Sequence, residues 1–330
     1  MNTTCSDKIL WDGLDAVQLK AGAYEALIVP QLGANVIKLS YAADGRNFEI
    51  IRTPENARTL IDDPYAYGIP VLFPANRIKG GKYTYDSVTY RYPPNYPNDV
   101  HIHGVLHNNP WKIKSMLCDG DKAVCTLMIR TCDSDLISSC IPVDITFELE
   151  NILSGQGLVQ RFTVINHSEH IFPFGLAYHT AFNVPFTQDR DPGHIRLHLP
   201  IKGVCANDGP DQIPTGRIEA LSEFEKDIAG VNGAMPLSEV LDNLYLGEEN
   251  EREAVFKDLK YGREVVYRAG DDFKYWIIWN KTAKEGFTAV EPQTWLSNIL
   301  CMDTDLYEKY GVILVHPGKS WTGDTKIFVR

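Results

Sequence analysis

Three consecutive stretches in the middle of the chain decide the fold class: KAVCTLMIRTC (122–132), PVDITFELENIL (142–153) and GLVQRFTVINHS (157–168). Each is rich in β-branched and aromatic residues, which favour strands, and each is followed by polar turn residues. No strongly amphipathic helix lies between them. The lengths and the spacing therefore predict an all-β protein built as an antiparallel sandwich, because βαβ units would need a helix after each strand.

Further strand patterns extend this region in both directions. They lie at residues 17–22, 24–51, 264–270, 274–280, 286–292, 311–318 and 325–330. Within KYWIIWN, alternation places Trp276 and Ile278 on one face. Ile277 and Trp279 lie on the other face, so both faces are apolar, as a sheet packed on two sides requires. Strand patterns begin and end the chain without a linker, which predicts one domain over residues 1–330.

The remaining segments are predicted to be loops, turns and short helices. The Asp-Gly pair in AADGRN (42–47) is typical of a hairpin turn. Short helical segments are predicted at ARTLIDD (57–63) and PLSEVLDNLY (236–245), and the acidic run GEENERE (247–253) is predicted to be a solvated loop. Residues 68–111 are rich in Gly, Pro, Asn and Tyr, which indicates long loops and short hairpins of the kind that carry functional residues.

The composition limits the classes of partner. The chain of 330 residues has a formal net charge of −11 and an isoelectric point near 5.3. Nucleic acid and anionic membranes bind concentrated basic surfaces, so neither is expected to be a main partner. No run of about 18 apolar residues is present, and the N-terminal stretch lacks the basic start and apolar run of a secretory signal. The seven cysteines are scattered without a CxxC pair, which favours reduced thiols and a cytoplasmic location.

Two stretches in the loop-rich region carry candidate binding residues. In GIPVLFPANRI, Asn76 and Arg77 follow a proline, and a guanidinium offers a rigid fork of donors for sugar hydroxyls or a carboxylate. In HIHGVLHNNPW, His101 and His103 would share one face of a strand, and His107 follows four residues later. A metal site on these three histidines is the alternative, although no cysteine or carboxylate lies close in sequence to complete it.

Two later stretches carry candidate proton-transfer groups. In GLAYHTAFNV (175–184), His179 lies in an apolar and aromatic setting, and a small environmental shift changes the charge of a histidine near neutral pH. In AVEPQTWLSN (289–298), Glu291 directly precedes Pro292, which removes a backbone donor and fixes the chain. A glutamate leaving a strand into such a turn is expected to project into a cleft.

The ordered set of motifs resembles the aldose 1-epimerase (galactose mutarotase-like) family. The motifs are NRI, then H-G with a tryptophan seven residues after the glycine, then H-x-x-F-N, then E-P-x-T. HPGKSW (316–321) and LDNLY (241–245) are similar too, and the likeness spans roughly residues 20–330. The resemblance implies a large antiparallel β-sandwich, the galactose mutarotase-like supersandwich, with the site in an open cleft on one sheet.

The resemblance also implies an activity and roles for residues. It implies an isomerase that interconverts the α and β anomers of a hexose such as glucose or galactose by acid–base ring opening, with no cofactor and no metal. Glu291 matches the catalytic base and His179 the catalytic acid. The matching substrate-binding residues are Arg77, His103 and Asp242, with Asn76 beside them. The expected partner is a small-molecule sugar, and the expected assembly is a monomer or a homodimer.

The resting charges of the proton-transfer pair are predicted as an ionised Glu291 beside a protonated His179. A nearby carboxylate would raise the pKa of the histidine, whereas apolar burial would lower it. Phe182 or Trp295 is expected to pack on the face of the sugar.

Alternatives stay open at this point. A hexose-phosphate 1-epimerase needs a basic cluster for its phosphate, and Lys79, Lys82 and Arg91 lie near Arg77 in sequence. The stretch HIHGVLHNNPW lacks both the paired glycines of galactose mutarotases and the arginine of hexose-phosphate epimerases, so it does not identify the sugar. A non-catalytic carbohydrate-binding protein would keep the cleft without needing the acid–base pair. A glycosidase would normally use two carboxylates, and the motifs offer one strong candidate, Glu291, and one weak one, Asp242.

Overall fold

A computed structural model describes residues 3–188 and 191–330. The strands are β1 (Thr4–Trp11), β2 (Leu14–Ala21), β3 (Tyr24–Val29), β4 (Asn35–Ala43), β5 (Arg46–Glu49), β6 (Val71–Leu72), β7 (Arg77–Lys79), β8 (Lys82–Tyr85), β9 (Val88–Arg91), β10 (Val100–Ile102), β11 (Lys112–Asp119), β12 (Lys122–Arg130), β13 (Ile145–Ser154), β14 (Gly157–Asn166), β15 (Phe172–Phe174), β16 (Ala177–Tyr178), β17 (Thr180–Asn183), β18 (Ile195–His198), β19 (Ile201–Asp208), β20 (Ile213–Glu219), β21 (Asp242–Gly247), β22 (Glu253–Asp258), β23 (Arg263–Ala269), β24 (Tyr275–Trp279), β25 (Phe287–Gln293), β26 (Ile313–Val315) and β27 (Ser320–Val329). The α-helices are α1 (Ala57–Asp62), α2 (Asp135–Cys140) and α3 (Glu223–Ala229), and 3₁₀ turns lie at Pro64–Ala66, Thr131–Asp133, Pro192–His194, Ile299–Cys301 and Thr304–Leu306.

Three large antiparallel sheets form the framework. The first is a five-stranded meander, β1 to β5 in sequence order. The second has the order β11-β12-β13-β14-β27-β23-β22-β18. The third has the order β20-β19-β21-β24-β25-β16-β6, and β17 also pairs with β25. The predicted all-β class with a large antiparallel sandwich is confirmed.

The three central stretches form neighbouring strands β12, β13 and β14 of the second sheet, as the sequence predicts. Leu127 lies opposite Leu149, and Ile129 lies opposite Phe147, so one face of the sheet is continuously apolar. These side chains are buried in the main core. Full burial of a side chain of this size is worth about 1.5–3 kcal/mol relative to exposure, so this face holds the strands in register.

The strand β24 lies near the middle of the third sheet, between β21 and β25. Trp276 and Ile278 are buried, and the ring of Trp276 meets Tyr267 of the second sheet at a centroid distance of 6.1 Å. Ile277 and Trp279 point to the opposite face, where a cleft lies. Both faces of β24 are therefore largely buried, as predicted. One face packs in the core, and the other forms part of the wall of the cleft.

The predicted helices are partly right. A helix is present at α1, where the side chain of Asn56 caps the backbone N–H of Thr59 at 2.9 Å. The predicted helix at 236–245 is wrong, because β21 begins at Asp242 and pairs with both β19 and β24. Sheet pairing there outweighs local helix preference. Neither α2 nor α3 is predicted from the sequence.

Two further expectations concern cysteines and membranes. The seven cysteines carry no disulfide in this structure, and Sγ of Cys5 lies 2.9 Å from Sγ of Cys118. Within residues 3–188 and 191–330, helices are too short and too polar to traverse a bilayer.

Candidate active site

Glu291 lies on β25, directly opposite Ile277 of β24. Because side chains alternate along a strand, it shares the cleft face with Ile277 and Trp279. The strand continues through Pro292 to Gln293. Glu291 therefore projects from within a central strand, and the prediction that it leaves a strand into a turn is wrong.

His179 lies between β16 and β17 and is held by its backbone, whose N–H donates to the carbonyl oxygen of Pro70 at 3.0 Å. The imidazole Nε2 lies 3.1 Å from Oε1 of Glu291. The two residues are only 3% and 1% exposed, respectively. The structure thus brings together the two residues that the sequence singles out for proton transfer.

Burial controls the protonation of this pair. It lowers the pKa of His179 to about 3. Burial also raises the pKa of Glu291 well above its ordinary value, the charge of Asp242 raises it further, and the charge of Arg77 opposes the rise. Both shifts favour a neutral histidine beside a protonated glutamic acid, in contrast to the predicted ionised Glu291 with protonated His179. Loss of solvation is the main cause of both shifts.

Asn76 and Arg77 form one side of the cleft. Asn76 has a left-handed backbone (φ 61°), a conformation that asparagine adopts more readily than most residues. Its Oδ1 accepts hydrogen bonds from the Arg77 backbone N–H at 2.9 Å, from Nη1 of Arg77 at 3.1 Å and from Oγ of Ser297 at 2.9 Å. Arg77 is therefore fixed in place, and its Nε is buried without a hydrogen-bond partner among the described residues.

His103 follows the end of β10 and has a left-handed backbone (φ 64°). Its N–H donates to the Asn76 carbonyl at 3.0 Å, which ties the two loops together. Gly104 comes next, and a Cβ there would lie 1.9 Å from the carbonyl oxygen of Phe73, so the backbone approaches too closely for a side chain. The His103 ring lies 5.4 Å from the His179 ring, and burial lowers the pKa of His103 well below its usual range.

The three histidines of HIHGVLH have different surroundings. Nδ1 of His101 lies 2.7 Å from the carbonyl oxygen of Pro93, whereas Nε2 of His107 lies 3.2 Å from the hydroxyl of Tyr65. The expectation of a shared strand face fails because β10 ends at Ile102. No group of three or more His, Cys, Asp or Glu side chains able to hold a metal occurs in the described parts of the chain.

Asp242 begins β21 at the rim of the cleft and is exposed to solvent. One of its oxygens, Oδ2, accepts a hydrogen bond from Nε2 of Gln212 at 3.3 Å. Gln212 in turn accepts a hydrogen bond from Nη2 of Arg77. The structure therefore connects Asp242 and Arg77, which are both predicted binding residues, through a side chain that the sequence does not reveal.

Aromatic side chains complete a cleft of about 270 Å³. Tyr65, Tyr96 and Trp279 line it, and none of them is among the predicted site residues. The Tyr65 ring centroid lies 4.4 Å from that of His103 and 5.4 Å from that of His179. The alternation along KYWIIWN separates the face of Trp279 from the face of Trp276. It does not indicate which of the two faces meets the cleft, so Trp279 could not be assigned to the site from the sequence.

The two aromatic residues predicted to contact the sugar lie in the core instead. Phe182 packs against Phe256 and Tyr267 with centroid distances of 4.8 and 5.6 Å. Trp295 is 1% exposed and fills the space beside Gly175, where a Cβ would lie 2.2 Å from the indole. Both residues follow a site residue closely in sequence, but their side chains point to the interior.

Comparisons with known proteins identify the family of the chain. The family model described as aldose 1-epimerase matches residues 15–327. The chain belongs to the aldose 1-epimerase family. This identification confirms the resemblance seen in the motifs and supports an isomerase of the epimerase type as the general class of enzyme.

Solved structures share the fold over almost the whole chain. A galactose mutarotase-like protein from Clostridium acetobutylicum is 29% identical, with a TM-score of 0.92 over 99% of this chain and 98% of that one. A galactose mutarotase-like protein from Lactobacillus casei is 20% identical, with a TM-score of 0.70 over 96% of this chain and 100% of that one. A galactose 1-epimerase from Lactobacillus acidophilus is 14% identical, with a TM-score of 0.72 over 100% and 98%. The last two likenesses concern the fold alone.

Proposed function

We propose that the protein is an aldose 1-epimerase that interconverts the α and β anomers of an unphosphorylated hexose, with Glu291 and His179 as its acid–base pair. The observation that carries the proposal is the buried contact of 3.1 Å between Nε2 of His179 and Oε1 of Glu291 on the wall of the cleft. Two groups that exchange one proton at this distance can serve as acid and base for the same substrate.

The proposed reaction uses the single transferable proton of the pair. In the resting state this proton lies on Glu291, and a bound sugar whose hydroxyls donate to the carboxylate would favour its transfer to His179. Glu291 then removes the proton of the anomeric hydroxyl while His179 protonates the ring oxygen, and the bond between that oxygen and C1 breaks. Rotation about C1–C2 and closure on the other face reverse both transfers. Proton exchange of this kind needs no cofactor.

Substrate binding is assigned to the polar residues of the rim. Arg77, His103 and Asp242 would hold sugar hydroxyls, and Asn76 would fix the guanidinium of Arg77 through the hydrogen bond of 3.1 Å. Trp279 offers an apolar ring for a sugar face in place of the buried aromatics, because it lines the cleft.

The charges around the cleft favour a neutral sugar over a sugar phosphate. Lys79, Lys82 and Arg91 are exposed and do not line the cleft. Arg77 is the only lysine or arginine among the described residues that line it, and it already binds Gln212. A phosphate would need several charge-assisted hydrogen bonds at this site, and Asp242 would repel it.

Polarimetry tests the proposed activity. Freshly dissolved α-D-glucose and α-D-galactose are followed to equilibrium with and without the protein, and with inorganic phosphate added. We expect faster equilibration of at least one sugar and no inhibition by phosphate. Competition by phosphate would favour a hexose-phosphate 1-epimerase. Binding of a sugar without faster equilibration would favour the carbohydrate-binding alternative.

A further inference from the structure

Gln212 contacts two residues of the cleft rim and lines a small chamber beside the cleft. It lies at the tip of the hairpin between β19 and β20 and has a left-handed backbone (φ 52°). Its Oε1 accepts a hydrogen bond from Nη2 of Arg77, and its Nε2 donates to Oδ2 of Asp242 at 3.3 Å. The carboxamide therefore bridges the two rim residues that the proposed function assigns to sugar binding.

The neighbouring residue fixes the hairpin tip from a second direction. Asp211 accepts a hydrogen bond from Nδ2 of Asn98, and its carboxylate lies 4.0 Å from Nζ of Lys79. Both partners lie outside β19 and β20, and β20 is the edge strand of the third sheet. Contacts of Asp211 and Gln212 to separate segments therefore fix the hairpin tip.

A small polar chamber lies behind this bridge. It has a volume of about 20 Å³, and Arg77 and Asp242 line both the chamber and the main cleft. Asn207, Asn243 and Ser297 line the chamber but not the cleft. A cavity needs about 10–15 Å³ to hold one water molecule, so the chamber has room for one water or one hydroxyl group, with amides and a hydroxyl as partners.

We propose that Gln212 sets the length of the saccharide that the cleft accepts, and that the chamber behind it is a hydroxyl-binding subsite for a longer substrate. This inference rests on the proposed function. With Gln212 in place, the cleft of about 270 Å³ is smaller than the roughly 300–1,000 Å³ of pockets for drug-sized ligands. It therefore suits a single sugar ring. Without the side chain, cleft and chamber join, and the polar wall continues past Arg77 and Asp242.

The test compares two sugars that share the same reacting end. Maltose and D-glucose both present a glucose anomeric centre, and maltose carries a second ring. The measured quantity is the ratio of kcat/KM for maltose to kcat/KM for D-glucose, obtained by polarimetry. We expect Gln212→Ala to raise this ratio by about tenfold or more, in the range that changes of pocket wall produce. Gln212→Ser opens the same wall and must raise the ratio too.

Two control variants separate the steric effect of the Gln212 side chain from the loss of its hydrogen bonds and from unspecific effects of substitution. Gln212→Leu keeps the bulk of the side chain but loses its hydrogen bonds, so the ratio should stay near that of the wild type. Gln156→Ala changes an exposed glutamine in the turn between β13 and β14 and should leave the ratio unchanged. A merely structural role of Gln212 would lower both activities together and would not move the ratio.

The outcomes distinguish this inference from the proposed function. An unchanged ratio in Gln212→Ala and Gln212→Ser, with activity on D-glucose retained, overturns the role of Gln212 and leaves the epimerase proposal standing. If the wild type accelerates neither sugar, the epimerase proposal fails. Calorimetric titration with maltose then tests whether the subsite exists. Tighter binding of maltose by Gln212→Ala than by the wild type supports the subsite, and equal affinity overturns it.

Discussion

The floor and the rim of the cleft differ in how much water reaches their polar groups. At the floor, His179 and Glu291 project from the middle of a sheet and are 3% and 1% exposed. At the rim, Asp242 is exposed, and Gln212 joins it to Arg77 by hydrogen bonds. Loss of solvation disfavours charge at the floor, so the proton stays within the pair there. At the rim, Asp242 is open to solvent, and its carboxylate is placed to bind hydroxyl groups.

The largest effect should follow from changing the floor. Glu291→Gln and His179→Asn each remove one partner of the proton exchange, so kcat should fall by about 10²- to 10⁴-fold with little change in KM. Polarimetry with D-galactose and D-glucose measures both constants. Glu239→Gln, at an exposed glutamate, is the matched control and should be fully active. A rise in KM without a fall in kcat would show that these residues bind the substrate and do not transfer protons.

A smaller effect, on KM instead of kcat, should follow from changing the rim. Arg77→Lys loses the fork that donates to Asn76 and Gln212. A hydrogen bond to a charged group is worth about 1.5–3 kcal/mol, so KM should rise by about 10- to 100-fold while kcat changes little. Arg91→Lys, at an exposed position of β9, is the control. A fall in kcat at constant KM would contradict the assignment of substrate binding to the rim and of proton transfer to the floor.

The same contrast explains how much of the molecule could be predicted from its sequence. β12, β13 and β14 follow a period of two, and their partners are near in sequence, so their existence and faces were predictable. The contact between His179 and Glu291 joins residues far apart, and only the family resemblance pointed to it. Gln212 belongs to a hairpin whose tip is placed by contacts to Arg77 and Asp242, and no local pattern encodes such contacts.

Some of the errors have the same physical origin. The segment 236–245 has helical preference, but pairing of β21 with two neighbours decides its conformation. Phe182 and Trp295 are predicted to pack on the sugar, and they lie near His179 and Glu291 in sequence. Phe182 follows His179 by three residues, Trp295 lies beyond the end of β25, and both side chains are buried in the core. Distance in sequence is therefore a poor guide to which aromatic residues line the cleft.

The pH dependence of kcat/KM should reflect the floor alone. The pair is active while it holds one transferable proton. On acidification it gains a second proton at His179, whose pKa is lowered to about 3 by burial, so the acid limb should lie near pH 3. On alkalinisation it loses its proton at Glu291, whose pKa burial raises. An acid limb centred at about 6.5, the ordinary histidine value, would contradict this account.

The smallest effect concerns stability. Because the pKa of Glu291 is raised in the folded state, unfolding releases a proton above the ordinary glutamate pKa, and stability falls as the pH rises from there to the folded-state pKa. Glu291→Gln abolishes this fall. Its free energy of unfolding relative to the wild type should therefore increase with pH in that window, by at most about 1.4 kcal/mol per pH unit. Urea unfolding at several pH values measures it, and a pH-independent difference would contradict a protonated Glu291.

The double variant Glu291→Gln/His179→Asn tests most directly whether the floor acts as one proton-exchanging unit. The measurement is its polarimetric kcat on D-galactose beside those of the two single variants. Residues that act as a unit are strongly non-additive, so we predict that the double variant is no slower than the slower single variant. A loss equal to the product of the two single losses would mean that His179 and Glu291 act independently, and it would contradict the acid–base pair.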